Sequence, residues 1–458
     1  MSDDKLVCFK AYDIRGKVPG ELNEDMAFDI GRAYAAEIKP KGSVAVGRDI
    51  RDTSAGIADA LIRGLNAAGI DTVDIGLCGT EMVYYASSLD GMGGGIMVTA
   101  SHNPIEYNGI KIVGKGARPV SADTGLMDIE RRVRTGDIPP NAPTAGTSSA
   151  LDVMDGYLQK IMTFVNADDL KPLKIVANPG NGCAGPAMEK LEKLLPFDIQ
   201  RMNYTPDGSF PNGIPNPLLV ENREATSKIV RKTGADMGVA WDGDFDRCFL
   251  FDETGEFIEG YYLVGFLAKG ILKNIPGAKI VHDPRLTWNT IEIVEEAGGE
   301  AVLSKSGHSF IKEKMRTVEA EYGGEMSAHH YFREFSYADS GMIPWLLVAQ
   351  EMSLSGLKLS ELVSERIKRY PCSGEINRKV DDPDAVIARL KERYSPNATA
   401  MSELDGISLE FGDVWRFNVR KSNTEPVVRL NVESEGDEEL MKTKTDEILA
   451  LMRQATPD

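Results

Sequence analysis

The sequence predicts an α/β protein of three related mixed-sheet domains followed by a C-terminal α+β domain. Three observations predict it. Short apolar, β-branched runs alternate with amphipathic helical stretches, the pattern of βαβ units on a largely parallel sheet. The order strand, helix, strand, strand, polar loop occurs three times along the chain. Finally, 458 residues are too many for one hydrophobic core at roughly 100–200 residues per domain.

The first copy opens on the strand SVAVGRD, continues as the helix ADALIRGLNAAGI and closes on DTVDIGLCGT. The second runs LKIVANPGNG, PAMEKLEKLL and DIQRMNYTPDG, and the third runs AKIVHDPRL, TIEIVEEAGG and AVLSKSGH. Each copy leads into a glycine-containing apolar strand and a polar loop: GGGIMVTASHN, DMGVAWDGDFD and YGGEMSAHH. Ligands of open α/β sheets bind at such strand ends, so these loops are the first candidates for a site. Residues 134–150 are rich in Pro, Gly, Ser and Thr and read as a linker. Further breaks near residues 250–260 and 370–374 give domains over 1–150, 151–251, 252–370 and 371–458. The last of these carries the strands GISLEF, WRFNVR and VVRLNVE with a closing helix, and does not match the repeat.

A formal net charge of −18 repels phosphate backbones and anionic lipid, which argues against nucleic-acid and membrane partners. An anionic small substrate then needs a local basic pocket. The cysteines are odd in number and show no CxxC spacing, so neither a disulfide framework nor a zinc site is expected, and a reducing cytoplasm fits. The start, MSDDKLVCFK, lacks the apolar core of a secretory signal, and no apolar run approaches the roughly 20 residues of a membrane span.

Four motifs carry chemistry. In Thr99-Ala100-Ser101-His102-Asn103-Pro104, an apolar strand ends on a serine among polar groups, and the proline forces the chain out of regular structure. Alone, the string is equally a turn whose Ser and Asn cap backbone groups, and it is not a GxSxG elbow. In Asp242-Gly243-Asp244-Phe245-Asp246-Arg247, alternate carboxylates on an extended segment point to one side. Their repulsion is relieved by a hard divalent cation with room for a further phosphate oxygen. An EF-hand is excluded, because Arg247 stands where the loop needs Gly and the flanks are strands, although Glu253 falls at the twelfth position. A solvated acidic turn is the plainer alternative.

The third motif, from Gly323 to His330, offers Glu325, Ser327 and His329 as partners for vicinal sugar hydroxyls. No metal-ligand spacing surrounds its two histidines, which are as readily surface or core polar groups. The fourth runs Arg420-Lys421-Ser422-Asn423-Thr424-Glu425-Pro426 and closes with Arg429. Its hydroxyls, amides and guanidinium make a phosphate cradle, though the composition is also good turn composition.

In this order, and with Phe9-Lys10-Ala11-Tyr12-Asp13-Ile14-Arg15-Gly16 ahead of them, the motifs resemble the α-D-phosphohexomutase superfamily in its phosphomannomutase/phosphoglucomutase branch. The likeness spans essentially the whole chain. It implies three related α/β domains and a different fourth around a central cleft, in agreement with the repeat. It also implies interconversion of hexose 6-phosphate and hexose 1-phosphate through phosphorylated Ser101 and a hexose 1,6-bisphosphate intermediate, which also serves as activator. Mg²⁺ is implied on Asp242, Asp244, Asp246 and the Ser101 phosphate. Arg15, Lys111, His102, Arg247 and His308 are implied around the reacting phosphate, with Tyr12 among the substrate contacts. Glu325, Ser327 and His329 are implied on the sugar. Arg420, Ser422, Asn423, Thr424 and Arg429 are implied on the non-reacting phosphate.

The sugar loop Gly-Glu-Met-Ser-Ala-His looks like the phosphomannomutase form, and glucosamine mutases usually show Gln where Met326 stands. Phosphoglucomutase or dual specificity is the alternative. A monomer or homodimer in the cytoplasm is implied, with GDP-mannose supply the family's usual destination. An inactive relative kept as a binder would be expected to lose the serine or an aspartate, and all are present. An Asp-nucleophile phosphatase lacks the Thr expected where Asp246 stands.

Overall fold

The computed structural model describes residues 5–421 and 427–453. The phosphate-cradle residues Ser422, Asn423 and Thr424 lie outside the described residues. The chain divides into two compact units, one of residues 1–257 and 329–356, the other of 258–328 and 357–458. The stretch 252–370, expected as one domain, thus contributes to both.

In the first unit, a mixed sheet runs in the order Ile14–Lys17, Tyr107–Gly114, Met92–Val98, Ser43–Arg48, Thr72–Leu77 and Ser148–Ala150. Its centre is parallel, where Ser43–Arg48 lies between Met92–Val98 and Thr72–Leu77. Its Tyr107–Gly114 side is antiparallel. The expected linker differs at its end, since Ser148–Ala150 adds a parallel strand to this sheet. Helix Glu24–Ile38 begins where the Asn23 side chain accepts from the Met26 amide, which satisfies one of the orphan N–H groups of the first turn. It packs Ile30, Ala33 and Tyr34 with Ile57 and Leu61 of helix Ser54–Ala67 onto Val44, Val46, Ile96, Val98 and Ile110. Each such fully buried aliphatic side chain contributes roughly 1.5–3 kcal/mol.

The same unit holds a second sheet in which Lys174–Asn178 lies between Asp198–Arg201 and Met237–Trp241, all parallel, with Cys248–Phe251 antiparallel beyond. A short antiparallel pair, His330–Phe332 with Ala338–Asp339, also belongs here.

In the second unit, Lys279–His282 runs parallel to both Glu300–Leu303 and Tyr322–Gly324. A separate, fully antiparallel sheet runs in the order Ile376–Lys379, Val427–Ser434, Trp415–Lys421, Ile407–Phe411 and Ala400–Ser402. Helices Pro383–Tyr394 and Glu438–Arg453 pack Val386, Leu390, Ile448 and Leu449 against Leu409, Phe417, Val428 and Leu430. This is the α+β arrangement expected of the C-terminal segment. All five cysteines are free thiols, and no helix among the described residues is long and apolar enough to cross a membrane.

Candidate active site

Two strand ends of the first unit bring the serine loop and the acidic turn together. Beyond Met92–Val98, Ser101 is buried and adopts φ +48, a left-handed conformation that costs a non-glycine residue roughly 1–3 kcal/mol. Its amide donates to Thr99 Oγ1 at 2.9 Å, and its Oγ donates to Asp242 Oδ2 at 2.7 Å and lies 3.0 Å from His102 Nδ1. Arg51 holds the loop in this shape. Its guanidinium donates to the carbonyls of Ser101, Asn103, Pro104 and Tyr107 at 2.9, 2.6, 2.9 and 3.0 Å, and pairs with Asp49 at 3.5 Å. Sequence reasoning missed Arg51, although GRDIRD is a polar run at a parallel strand's C-terminal end.

The aspartates converge in a different way from the one their spacing predicts. After Met237–Trp241 the chain is not extended: the Phe245 amide donates to the Asp242 carbonyl at 3.2 Å and Phe245 takes φ +46. A tight turn, and not strand alternation, therefore gathers the carboxylates. A Cβ on Gly243 would lie 2.5 Å from the Ser101 carbonyl oxygen, so this position keeps the two loops in contact.

Asp242, Asp244 and Asp246 are buried, and their oxygens lie within 4.8 Å of one another. Neither Asp242 Oδ1 nor Asp244 Oδ1 has a hydrogen-bond partner among the described residues. Buried, clustered and partly unsatisfied carboxylate oxygens are a donor set that fits a hard divalent cation.

Cationic groups ring the turn. Lys111 faces Met97 across the sheet, and its Nζ lies 2.7 Å from both Asp244 Oδ2 and Asp246 Oδ2. Burial works against its charge, but the two carboxylates outweigh it and hold the ammonium above its ordinary range. Burial and the nearby Asp244 push Asp246 up to about 6. Arg247 donates to Asp242 Oδ2 through Nε at 3.0 Å and Nη2 at 2.7 Å, and also contacts His102. Burial, then the charges of Arg247 and Arg15, keep His102 well below its usual pKa and therefore neutral. Arg15, on Ile14–Lys17, pairs with Asp13 at 2.8 Å and donates to the Ala100 carbonyl at 3.1 Å and to Asn103. Tyr12 is half-buried just before it. Thr80, another residue the sequence did not flag, donates to Asp244.

His329 also meets carboxylates of the first unit. Its Nδ1 lies 2.8 Å from Asp339 Oδ2, and with Asp246 and Asp339 it forms a second cluster of potential metal ligands, where the sequence showed no ligand spacing. It belongs to the unit of Ser101, whereas Glu325 and Ser327 belong to the other. The spacing of Asp339 in the chain could not reveal this, because a short hairpin returns it beside His329.

In the second unit the organising residue is Arg285, also unflagged by sequence, at the end of Lys279–His282. It pairs with Asp283 through Nε at 3.1 Å and Nη2 at 2.7 Å, and reaches Ser327 Oγ at 3.1 Å and Glu325 Oε1 at 3.4 Å. Glu325 Oε1 also accepts from the Gly307 amide at 2.8 Å, just ahead of helix His308–Val318, so His308 lies beside Glu325 in this unit. Glu375 meets Arg285, Arg420 and Arg429 at 3.1, 3.3 and 3.4 Å. Arg416 supports the cluster from below by donating to the carbonyls of Arg285 and Pro284 at 3.1 and 3.0 Å while paired with Glu433 at 2.6 Å.

Models of phosphoglucomutase/phosphomannomutase α/β/α domains I, II and III match residues 7–138, 155–255 and 259–370, and the model of the C-terminal domain matches 375–450. The chain is 57% identical over 448 residues to the phosphohexose mutases of Xanthomonas campestris pv. campestris, covering 98% of this chain and 99% of that one. It is 55% identical over 456 residues to the phosphomannomutase of Escherichia coli (strain K12), covering 98% and 100%. A crystal structure of a phosphoglucomutase/phosphomannomutase family protein from Burkholderia thailandensis superposes with a TM-score of 0.88 at 31% identity, covering 99% and 98%. With the four family models matching in order along nearly the whole chain, and full-length likeness to these relatives, the chain belongs to the phosphoglucomutase/phosphomannomutase family of phosphohexomutases.

Proposed function

We propose that this phosphohexomutase interconverts mannose 6-phosphate and mannose 1-phosphate, with Ser101 as the phosphoryl carrier. The observation that carries the reading is Ser101 Oγ at 2.7 Å from Asp242 Oδ2, on a turn that gathers three buried carboxylates. Phosphoryl transfer needs in-line placement and spread positive charge more than it needs a strong nucleophile. Asp242, Asp244 and Asp246 would hold Mg²⁺, which when bound neutralises charge on the transferring phosphoryl group.

Lys111, Arg15 and Arg247 supply the remaining charge at Ser101, and neutral His102 is positioned to hold a hydrogen bond to the serine oxygen. The phosphoryl group leaves Ser101 for a sugar hydroxyl and gives a hexose 1,6-bisphosphate. The other phosphate then returns to Ser101, so the bisphosphate also acts as activator. Arg420 and Arg429, with Ser422, Asn423 and Thr424, take the non-reacting phosphate. Glu325, Ser327 and His329 take sugar hydroxyls, Tyr12 adds a substrate contact, and His308 works at the reacting phosphate.

Mannose preference rests on the loop Gly-Glu-Met-Ser-Ala-His and on high identity to relatives named phosphomannomutase. A coupled assay of mannose 1-phosphate and glucose 1-phosphate, with Mg²⁺ and a trace of hexose 1,6-bisphosphate, tests it. Faster turnover of the mannose compound is expected, and equal rates would make the enzyme dual-specific. Ser101→Ala should lose turnover while binding hexose phosphate; normal turnover in that variant would defeat the carrier role.

A further inference from the structure

Three guanidiniums crowd one end of the second unit. Arg420 and Arg429 are direct cross-strand partners in the antiparallel pair Trp415–Lys421 and Val427–Ser434, where like charges opposite one another are destabilising. Arg285 approaches the same point. Among the described residues the single carboxylate that meets all three is Glu375, whose Oε2 lies against Arg285 and Arg420 and whose Oε1 lies against Arg429.

The carboxylates of this cluster are not held alike. Asp283 is sealed, with a 2.7 Å contact to Arg285 and a further bond from the Met326 amide at 2.9 Å. Glu325 is buried and takes the Gly307 amide. The contacts of Glu375 are 3.1 to 3.4 Å, longer than the roughly 2.7–2.9 Å of a strong charge-assisted bond, and its side chain is 19% exposed. Arg420 Nε is buried with no hydrogen-bond partner among the described residues, so a donor stays available there. The backbone ahead of Glu375 is fixed: Gly374 takes φ +65, its carbonyl accepts from Asn431 Nδ2 at 3.0 Å, and Ser373 Oγ accepts from the Val432 amide at 2.9 Å. Any movement of Glu375 is therefore movement of its side chain.

We propose that Glu375 is an exchangeable counter-ion: its carboxylate keeps Arg420 and Arg429 together between turnovers and yields them to the phosphate of the incoming sugar. The proposal rests on the reading of Arg420 and Arg429 as a phosphate grip. Its consequence is that phosphate affinity at this end is deliberately moderate. A reaction in which a bisphosphate must let go and be gripped again by its other end needs such moderation, since a site of uncompensated arginines would hold the intermediate too long. Glu375 is on this account a positioning residue that sets affinity through two arginines.

Isothermal titration of the full-length protein with inorganic phosphate tests it, on the parent and on Glu375→Gln, Glu375→Asp and Arg420→Ala. Removing a negative charge from beside an anion site should tighten phosphate in Glu375→Gln by about tenfold. The KM for hexose 1-phosphate should fall with it while kcat declines. An unchanged or weaker phosphate affinity in Glu375→Gln, with Arg420→Ala still weakening binding, would leave the arginine grip standing and overturn the counter-ion role alone. If Arg420→Ala leaves phosphate binding intact, the grip itself is refuted and the proposal falls with it. Glu375→Asp keeps the charge but withdraws it by one methylene, so it should tighten phosphate severalfold where Glu375→Gln fails to fold. Weaker binding in Glu375→Asp would equally overturn the idea.

Discussion

Arg51 and Arg416 show how a single side chain can fix a loop beside a candidate site. Each is buried and paired with acidic side chains, Arg51 with Asp49 and Arg416 with Glu433 and Glu410, and each also donates to backbone carbonyls: those of Ser101, Asn103, Pro104 and Tyr107 in one case, those of Pro284 and Arg285 in the other. Leaving a buried carbonyl unpaired costs about 1–3 kcal/mol. The left-handed conformation of Ser101 persists because Arg51 and Thr99 over-determine it. Arg51→Met should therefore let Ser101 drift from the acidic turn and lower kcat on the order of 100-fold, the scale of loss that a displacement of about 1 Å produces. A parent-like kcat would mean that the loop holds its shape without this strap.

At the scale of elements, the serine loop and the acidic turn act as one unit because Gly243 allows them to touch. A Cβ there meets backbone, not a flexible side chain, so the loops must separate. Gly243→Ala should cost about 1–3 kcal/mol of stability and at least tenfold in kcat/KM. Gly270 offers the control, since a Cβ at that helical position meets nothing within 4 Å. Gly270→Ala should raise the melting temperature slightly through helix propensity and leave turnover alone. Equal losses from both would show that Gly243 has no special place.

These elements also show what was legible beforehand. The strands Ser43–Arg48, Met92–Val98 and Met237–Trp241 and the helices between them follow from local apolar periodicity, and the sequence carries it openly. The serine and the aspartates stand out because each motif is short and chemically odd. Their partnership spans 141 residues, and no local spacing encodes a contact of that range. The conformation of Phe245 was likewise hidden: alternate aspartates suggest a strand, and only the packing of neighbouring segments makes the turn. His329 and Asp339 meet through a hairpin whose register is a tertiary fact. Arg285, Glu375 and Arg51 escaped notice because single charged residues at strand ends look like ordinary solvated polarity.

For the whole molecule, a net charge of −18 sets a problem for an enzyme that takes phosphorylated sugars. The sequence calls for a local basic pocket, and in the structure the cluster of Arg285, Arg420 and Arg429 is neutralised in part by Glu375. That neutralisation has a pH signature. Burial pushes the Glu375 carboxyl up, but Arg285, then Arg429 and Arg420, more than offset it and bring it from 4.5 down to about 2. A carboxylate whose folded pKa is depressed contributes stability that is fully present above its unfolded value and is lost as pH falls through the folded one. Glu375 should thus stabilise the second unit by on the order of 3 kcal/mol at pH 7. That contribution should fade between pH 4.5 and about 2. Urea denaturation of the parent and of Glu375→Gln, followed by tryptophan fluorescence, separates this from a loss of packing. The gap between their midpoints should be widest near neutrality and close steadily below pH 4.5. A gap independent of pH would mean that Glu375 holds the arginines by shape alone, and that its charge is not what balances them.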